Sequence, residues 1–449
     1  MKRRDFLRGA GAIGGACLFS QLGALRALAD DTGGYKALVC IFLAGGNDSN
    51  NTVVPLDGTA YSQYGKARGG LTLPKDKLAK LALPDGSTPY GLHPSLSSLV
   101  PAWDEGQLAL LFNVGTLERP LSVAEYRTGG DSSVRIPGLF SHADQVRQWQ
   151  ASIAGKATGT GWGGRLMDEI DGVAGGMPGL ISVAGASRFG VGVRSEAMVV
   201  PSSGLMELHG VDNTPASQAR LAAWMQLHDI DKESQLVASA QDVSGFTLEK
   251  RDTINAALSA SAPITKAAFT GLTTGIAKQL TATSRLIEQR HSHGTQRQVF
   301  FCSLGGFDLH AAQLTTHASL LRQLGDALAA FNKAMNRMGA GSQVTAFTHS
   351  EFSRTLHVNT TNGTDHAWGG HHFILGGAVQ GRTCYGSFPD LRVAGPSDAD
   401  RLGRWVPTTS VDQYAATLAG WFGVGPQRLS TVLPNLKNFA QPTLPFLRG

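Results

Sequence analysis

The sequence predicts an α/β fold, a mainly parallel sheet sandwiched between helices. Three observations lead there. Five apolar runs of strand length recur along the chain, each stopped by glycine or a polar residue. Segments of helical periodicity fall between them. Three of the runs end in polar clusters, GGNDSNN, GGFDLH and THSEFSR. A parallel sheet gathers such ends at one edge, where ligands bind in open α/β folds.

The first 29 residues stand apart. Arg3 and Arg4 precede Phe6 and Leu7, a glycine-rich apolar stretch follows, and Ala27-Leu28-Ala29 closes it. This is the layout of a secretory signal with an A-x-A cleavage site. The arginine pair fits twin-arginine export of an already folded protein and predicts a periplasmic or secreted mature chain. Lys2, Arg3, Arg4, Arg8 and Arg26 oppose only Asp5 here, so most of the formal net charge of +5 belongs to this segment. What remains is near neutral and offers no basic footprint for nucleic acid. No run approaches the roughly 20 apolar residues that a membrane span needs. Cys40, Cys302 and Cys384 are too few, in so long a chain, for a disulfide framework.

The elements then follow in order. Residues 37–43 form the first run, broken at Gly45-Gly46. LALLFNVG (108–115), GLISVAG (179–185), RQVFFCSLGGFD (297–308) and QVTAFTHSEF (343–352) are the others. Continuous apolar runs of this length suit strands buried on both faces. The clearest helix is 317–339, where Leu320, Leu321, Leu324, Leu328, Phe331, Met335 and Met338 recur at helical spacing. Residues from about 205 to 295 are rich in Ala, Ser, Gln and Leu and show no strand candidate, which predicts a helical insertion within a single domain spanning 30–449. Near the C-terminus, Val411, Tyr414, Leu418, Trp421 and Phe422 share a helical face that closes the layer over the sheet.

Chemistry concentrates late in the chain. Seven of the 13 histidines lie between His310 and His372, at predicted strand ends. Neutral imidazole and carboxylate are the natural ligands of divalent metals, here zinc, manganese or calcium. The candidate ligands are Asp48, Asp308, His310, Glu351, Asp365 and His366. No pair has the i, i+4 spacing of a compact helical zinc motif, so distant loops must assemble the site. Taken singly, several have plainer readings. Asp48 suits a helix cap, His317 an exposed helix start, His371 and His372 a loop, and Arg354 a salt bridge. Ser141, beside His142 and before a helix, reads either as a cap or as a nucleophile activated by a metal. Arg354 has the fork that grips a phosphate or sulfate.

The stretches FLAGGNDSNNTVVP, GLHPSLSSL, FSHADQVRQWQ, GFDLHAAQLTTH, THSEFSRT, GTDHAWGGHHFILGGAV and RWVPTTSVDQYAATLAGWFGV resemble, in this order, a large bacterial family of exported proteins without assigned function, domain of unknown function 1501. That family looks like a distant branch of the alkaline phosphatase and sulfatase superfamily. The resemblance implies a two-metal edge site that hydrolyses small or glycan-linked phosphate or sulfate esters. It implies Asp48 as the acidic ligand after the first strand, Ser141 as nucleophile, Asp308 with His310 as a ligand pair, and His366 with Asp365 as the late ligands. Two departures stand out. One residue separates Asp308 from His310 where the superfamily has three. Ser350 and Glu351 stand where it has Asp-His-Gly. Those departures leave two outcomes, a hydrolase with fewer metals or a scaffold that binds an anionic or glycan ligand, or a protein partner, without turnover.

Overall fold

The computed structural model describes residues 34–448 apart from 130–135, 157, 171–175, 209, 213 and 228–234. The predicted signal, residues 1–29, lies outside the described residues.

Twelve strands follow one another among the described residues. They are β1 (Lys36–Ala44), β2 (Val53–Pro55), β3 (Ala79–Leu81), β4 (Tyr90–Leu92), β5 (Leu108–Gly115), β6 (Leu180–Ser182), β7 (Met198–Val199), β8 (Arg297–Gly305), β9 (Val344–His349), β10 (Gly370–Leu375), β11 (Thr383–Tyr385) and β12 (Thr409–Ser410). The five apolar runs are β1, β5, β6, β8 and β9. Nine strands make the main sheet, in the order β11-β5-β10-β9-β1-β8-β6-β7 with β12 also on β5. β2, β4 and β3 form a small antiparallel sheet beside it.

The main sheet is parallel except at β10, which runs against both β5 and β9. β1 shows why its run is continuously apolar. Ala37, Val39, Ile41 and Leu43 face one core, while Leu38, Cys40 and Phe42 face the other. Side chains alternate across a strand, so a strand covered on both sides has no position left for a polar residue.

The helix Gln313–Arg337 covers the first face. It buries Leu320, Leu321, Leu324, Leu328, Phe331 and Met335. His317 is buried on it as well, not exposed as its position near the helix start suggested. The helices His142–Ala151, Trp162–Asp168 and Val411–Phe422 cover the other face. Ser410 and Gln413 close a capping box at the start of the last, which buries Tyr414, Leu418 and Phe422. Residues 205–295 contain four described helices and no described strand. The last of them, Gly275–Glu288, lies directly on β8, where Gln279 exchanges hydrogen bonds with the Ser303 backbone at 2.8 and 2.9 Å. Cys40, Cys302 and Cys384 are all free.

The strand directions set the edge. Ala44 of β1 is level with Gly305 of β8, and Phe42 with His349 of β9. The segments after these three strands therefore leave the sheet side by side. The reversal of β10 brings its N-terminal end to the same edge, with Ile374 opposite Phe347. The segment GTDHAW thus reaches that edge by entering the sheet there, where the other clusters leave it. His371 and His372 lie within β10 and are buried, not in a loop.

Candidate functional site

β1 ends in Gly45 and Gly46, both in the left-handed region at φ 113° and 79°. A side chain on Gly45 would strike the backbone of Phe307 and Asp308, and one on Gly46 the ring of Phe352. Only glycine lets these three strand ends come so close.

Asp308 is the centre of what they assemble. Its Oδ1 lies 2.7 Å from Arg354 Nη1, 2.9 Å from His310 Nε2 and 3.1 Å from His366 Nε2. Its Oδ2 is 3.4 Å from His142 Nε2. The side chain remains 44% exposed, so the centre is open to solvent. Partial burial pushes the Asp308 carboxyl up, but the hydrogen bond and charge of Arg354 lead the opposing effects and it is held down at about 2.

The three imidazoles are oriented from behind. His142 Nδ1 is 2.9 Å from Glu351 Oε1, His310 Nδ1 is 3.1 Å from Asp365 Oδ1, and His366 Nδ1 is 2.7 Å from the Phe140 carbonyl oxygen. Each of these partners only accepts, so each Nδ1 carries the proton. Each Nε2 is then a lone pair aimed at Asp308. Burial lowers the pKa of His366, although the Phe140 carbonyl opposes this, and its ring stays neutral near pH 7.

This leaves too many acceptors. His310 Nε2 and His366 Nε2 sit 3.0 Å apart, both beside an ionised carboxylate. His142 Nε2 is buried without a hydrogen-bond partner. Among the described residues only Arg354 brings protons to the group. Ligand atoms of His142, Asp308 and His366 all lie within 4.8 Å of one another. Imidazoles held by Nδ1–H bonds to carboxylate or carbonyl, with Nε2 converging beside a carboxylate, have the donor set of a divalent metal site. The residues present fit such an ion.

The remaining predicted residues take different places. Asp48 caps the helix Ser49–Thr52 through the Asn50 N–H at 3.1 Å, and its carboxylate meets buried Arg68 and Gln313. Three bonds engage both its oxygens there, so it is a buried ion-pair partner, and it is not among the His142–Asp308–His366 group. Glu351 accepts from the Gly45 N–H at 2.7 Å as well as from His142, and so orients a ligand instead of offering one. Asp365 does the same for His310, and Asn359 braces it at 3.2 Å. Arg354 is fully buried, bonded to the Gly45 and Thr364 carbonyls and to Asp308. Its donors are spent inside the protein, so it sets the charge of Asp308 and does not reach a substrate. Ser141 is the N-cap of His142–Ala151 by position, yet its side chain makes no capping bond. The cap reading of Ser141 is thereby set aside.

His142 is the residue that the sequence pattern missed. It was visible only as the neighbour of Ser141. A single histidine at a helix start carries no spacing signal, and its partners lie 166 to 224 positions later, as Asp308, Glu351 and His366. Phe352 packs the centre, with its ring 4.6 Å from that of His366 and 4.8 Å from that of His142.

A family model described as protein of unknown function (DUF1501) matches residues 35–400. No curated protein sequence matches the chain. Among solved structures, Ps i-CgsB in complex with k-i-k-neocarrahexaose is similar at 8% identity and a TM-score of 0.34, over 90% of this chain and 77% of that one. The PsFucS1 sulfatase from Pseudoalteromonas sp. is similar at 9% identity and 0.34, over 88% and 74%. A 2-O GAG sulfatase is similar at 9% identity and 0.31, over 89% and 74%. At this level of likeness the neighbours say nothing about the chemistry of this chain. The family match covers most of its length, and the chain belongs to that family.

Proposed function

We propose that this member of the DUF1501 family is an exported, metal-dependent hydrolase of phosphate or sulfate esters. The observation that supports it is the convergence of three Nε2 lone pairs on one carboxylate. In this reading His142, Asp308 and His366 hold one divalent ion, with His310 as the fourth donor. A bound ion supplies a Lewis-acid centre that draws in an anionic ester oxygen and stabilises charge developing on it. The chain's own groups do the rest. Glu351, Asp365 and the Phe140 carbonyl fix the imidazoles, Arg354 keeps Asp308 ionised, and Ser141, free of a capping bond, is the attacking hydroxyl. The substrate is a small anionic ester or a glycan-linked one.

One observation favours a second reading. The Asp48–Arg68 pair removes the acidic ligand that a second ion would need, which suits a protein that binds an anionic ligand without turnover. Metal analysis of the mature chain, purified without chelators or a histidine tag, separates the possibilities when paired with an ester panel. About one equivalent of metal, lost in His142→Ala and Asp308→Ala, together with turnover lost in Ser141→Ala, is the expected result. Metal without turnover of any ester would select the binding reading, and no metal under any loading condition would end the hydrolase reading and leave the binding one.

A further inference from the structure

The helical region carries a second concave site, independent of the histidine centre. A cleft of about 870 Å³ lies between residues 201–204 and the helices Pro263–Ala268 and Gly275–Glu288. Its lining includes Lys266, Lys278 and Arg285 and, among the described residues, not one carboxylate. None of the three cations forms an ion pair among the described residues. Lys278 and Arg285 are seven positions apart on one helix and both face the cleft, which sets their charges about 10 Å apart along the axis.

Arg285 makes the strongest demand. Its Nη2 donates to the Ala260 carbonyl at 3.2 Å, but its Nε–H is buried and has no acceptor. A buried donor left unpaired destabilises a fold, and on a guanidinium it is costlier still. Beneath the cations the wall is apolar, with Leu258 and Phe269 both buried. Cations without counter-charges above an apolar wall are the complement of a molecule with acidic groups on an apolar body. We propose that this cleft binds an elongated organic dianion, its two acidic groups on Lys278 and Arg285 and its body against Leu258 and Phe269. Charge-assisted bonds to an acidic oxygen would come from the Arg285 Nη1 group, which no acceptor of the chain takes among the described residues.

Calorimetric titration of the mature protein with naphthalenedisulfonate tests this, since that dianion has an apolar body and no bond to hydrolyse. One equivalent is expected to bind. Lys278→Gln and Arg285→Gln should each weaken binding about tenfold or more, as the loss of a charge-assisted contact does. Arg285→Lys should retain most of the affinity, which separates a lost charge from a disturbed helix. Lys437→Gln, an exposed lysine outside the cleft, should bind like the parent, and so should Asp308→Ala, which keeps the result distinct from the histidine centre. Absence of saturable binding would overturn the proposal. Equal affinity in Lys278→Gln, Arg285→Gln and Lys437→Gln would overturn it too, and so would binding that disappears in Asp308→Ala.

Discussion

Glu351→Gln separates a built metal site from a chance meeting of histidines. Glu351 is 2% exposed, and its Oε1 receives both the His142 Nδ1–H and the Gly45 N–H. The amide keeps the size and one acceptor oxygen but loses the charge that makes His142 basic. Loss of such a supporting carboxylate costs ten- to a hundredfold in metal affinity. Consider an ion supplied at about 100 times the parent dissociation constant, which stabilises the parent by about 2.7 kcal/mol. The same ion should stabilise the variant by about 1.4 kcal/mol after a tenfold loss and about 0.4 after a hundredfold loss. Urea unfolding of parent and variant, each with and without zinc, measures both increments. A variant less stable than the parent by a constant amount, with an undiminished zinc increment, would show that Glu351 supports the fold alone and that His142 is no ligand.

Other consequences are equally open to measurement. Asp48→Asn should leave metal content unchanged and destabilise the chain by about 3 kcal/mol or more in urea, because it strands buried Arg68; loss of metal instead would restore Asp48 as a ligand. Gly46→Ala must tolerate a left-handed φ and displace the Phe352 ring, so it should lower both stability and metal affinity, the latter because that ring packs His142 and His366. Asp412 is buried with Oδ1 unpartnered, and burial, opposed by Ser152 and Arg165, pushes its carboxyl up to about 8. The folded chain then keeps a proton that the unfolded chain sheds near pH 4, so stability falls by about 1.4 kcal/mol per pH unit as pH rises from 4 to 8. Asp412→Asn should remove that slope, and urea midpoints of parent and variant at pH 5 and pH 8 that move in parallel would contradict it.

The parts of the fold written in single strands were readable. β1, β5, β6, β8 and β9 announce themselves because burial on both faces leaves no polar position in them. β10 does not, since GHHFIL places two histidines in a strand, and their burial depends on neighbours such as Trp149 and Phe112 that no local pattern names. The clustering of Asp308, His310 and His366 was legible, because polar residues at parallel strand ends must share an edge. Their division of labour was not. Whether a carboxylate binds an ion, holds an imidazole or pairs with an arginine depends on partners tens to hundreds of positions away. Asp48 shows this, for Arg68 looks like any helix-end arginine until its burial is known.

The segments joining β9 to β10 have a mechanical consequence. Beyond the sheet they remain paired. Ser353 and Thr355 bond to Trp368, Ala367 and Asp365, and the far end of this ribbon is tied to Leu309 and Ala312 through Thr364 and Thr361. Glu351, Arg354, Asp365 and His366 all ride on this one ribbon, while Asp308 and His310 ride on the turn it clasps. A tug on any one of these residues is felt by the others. An ion gripped by His366 would therefore clamp ribbon and turn together. Amide exchange across 350–369 and 306–312 would slow as one unit when metal is added.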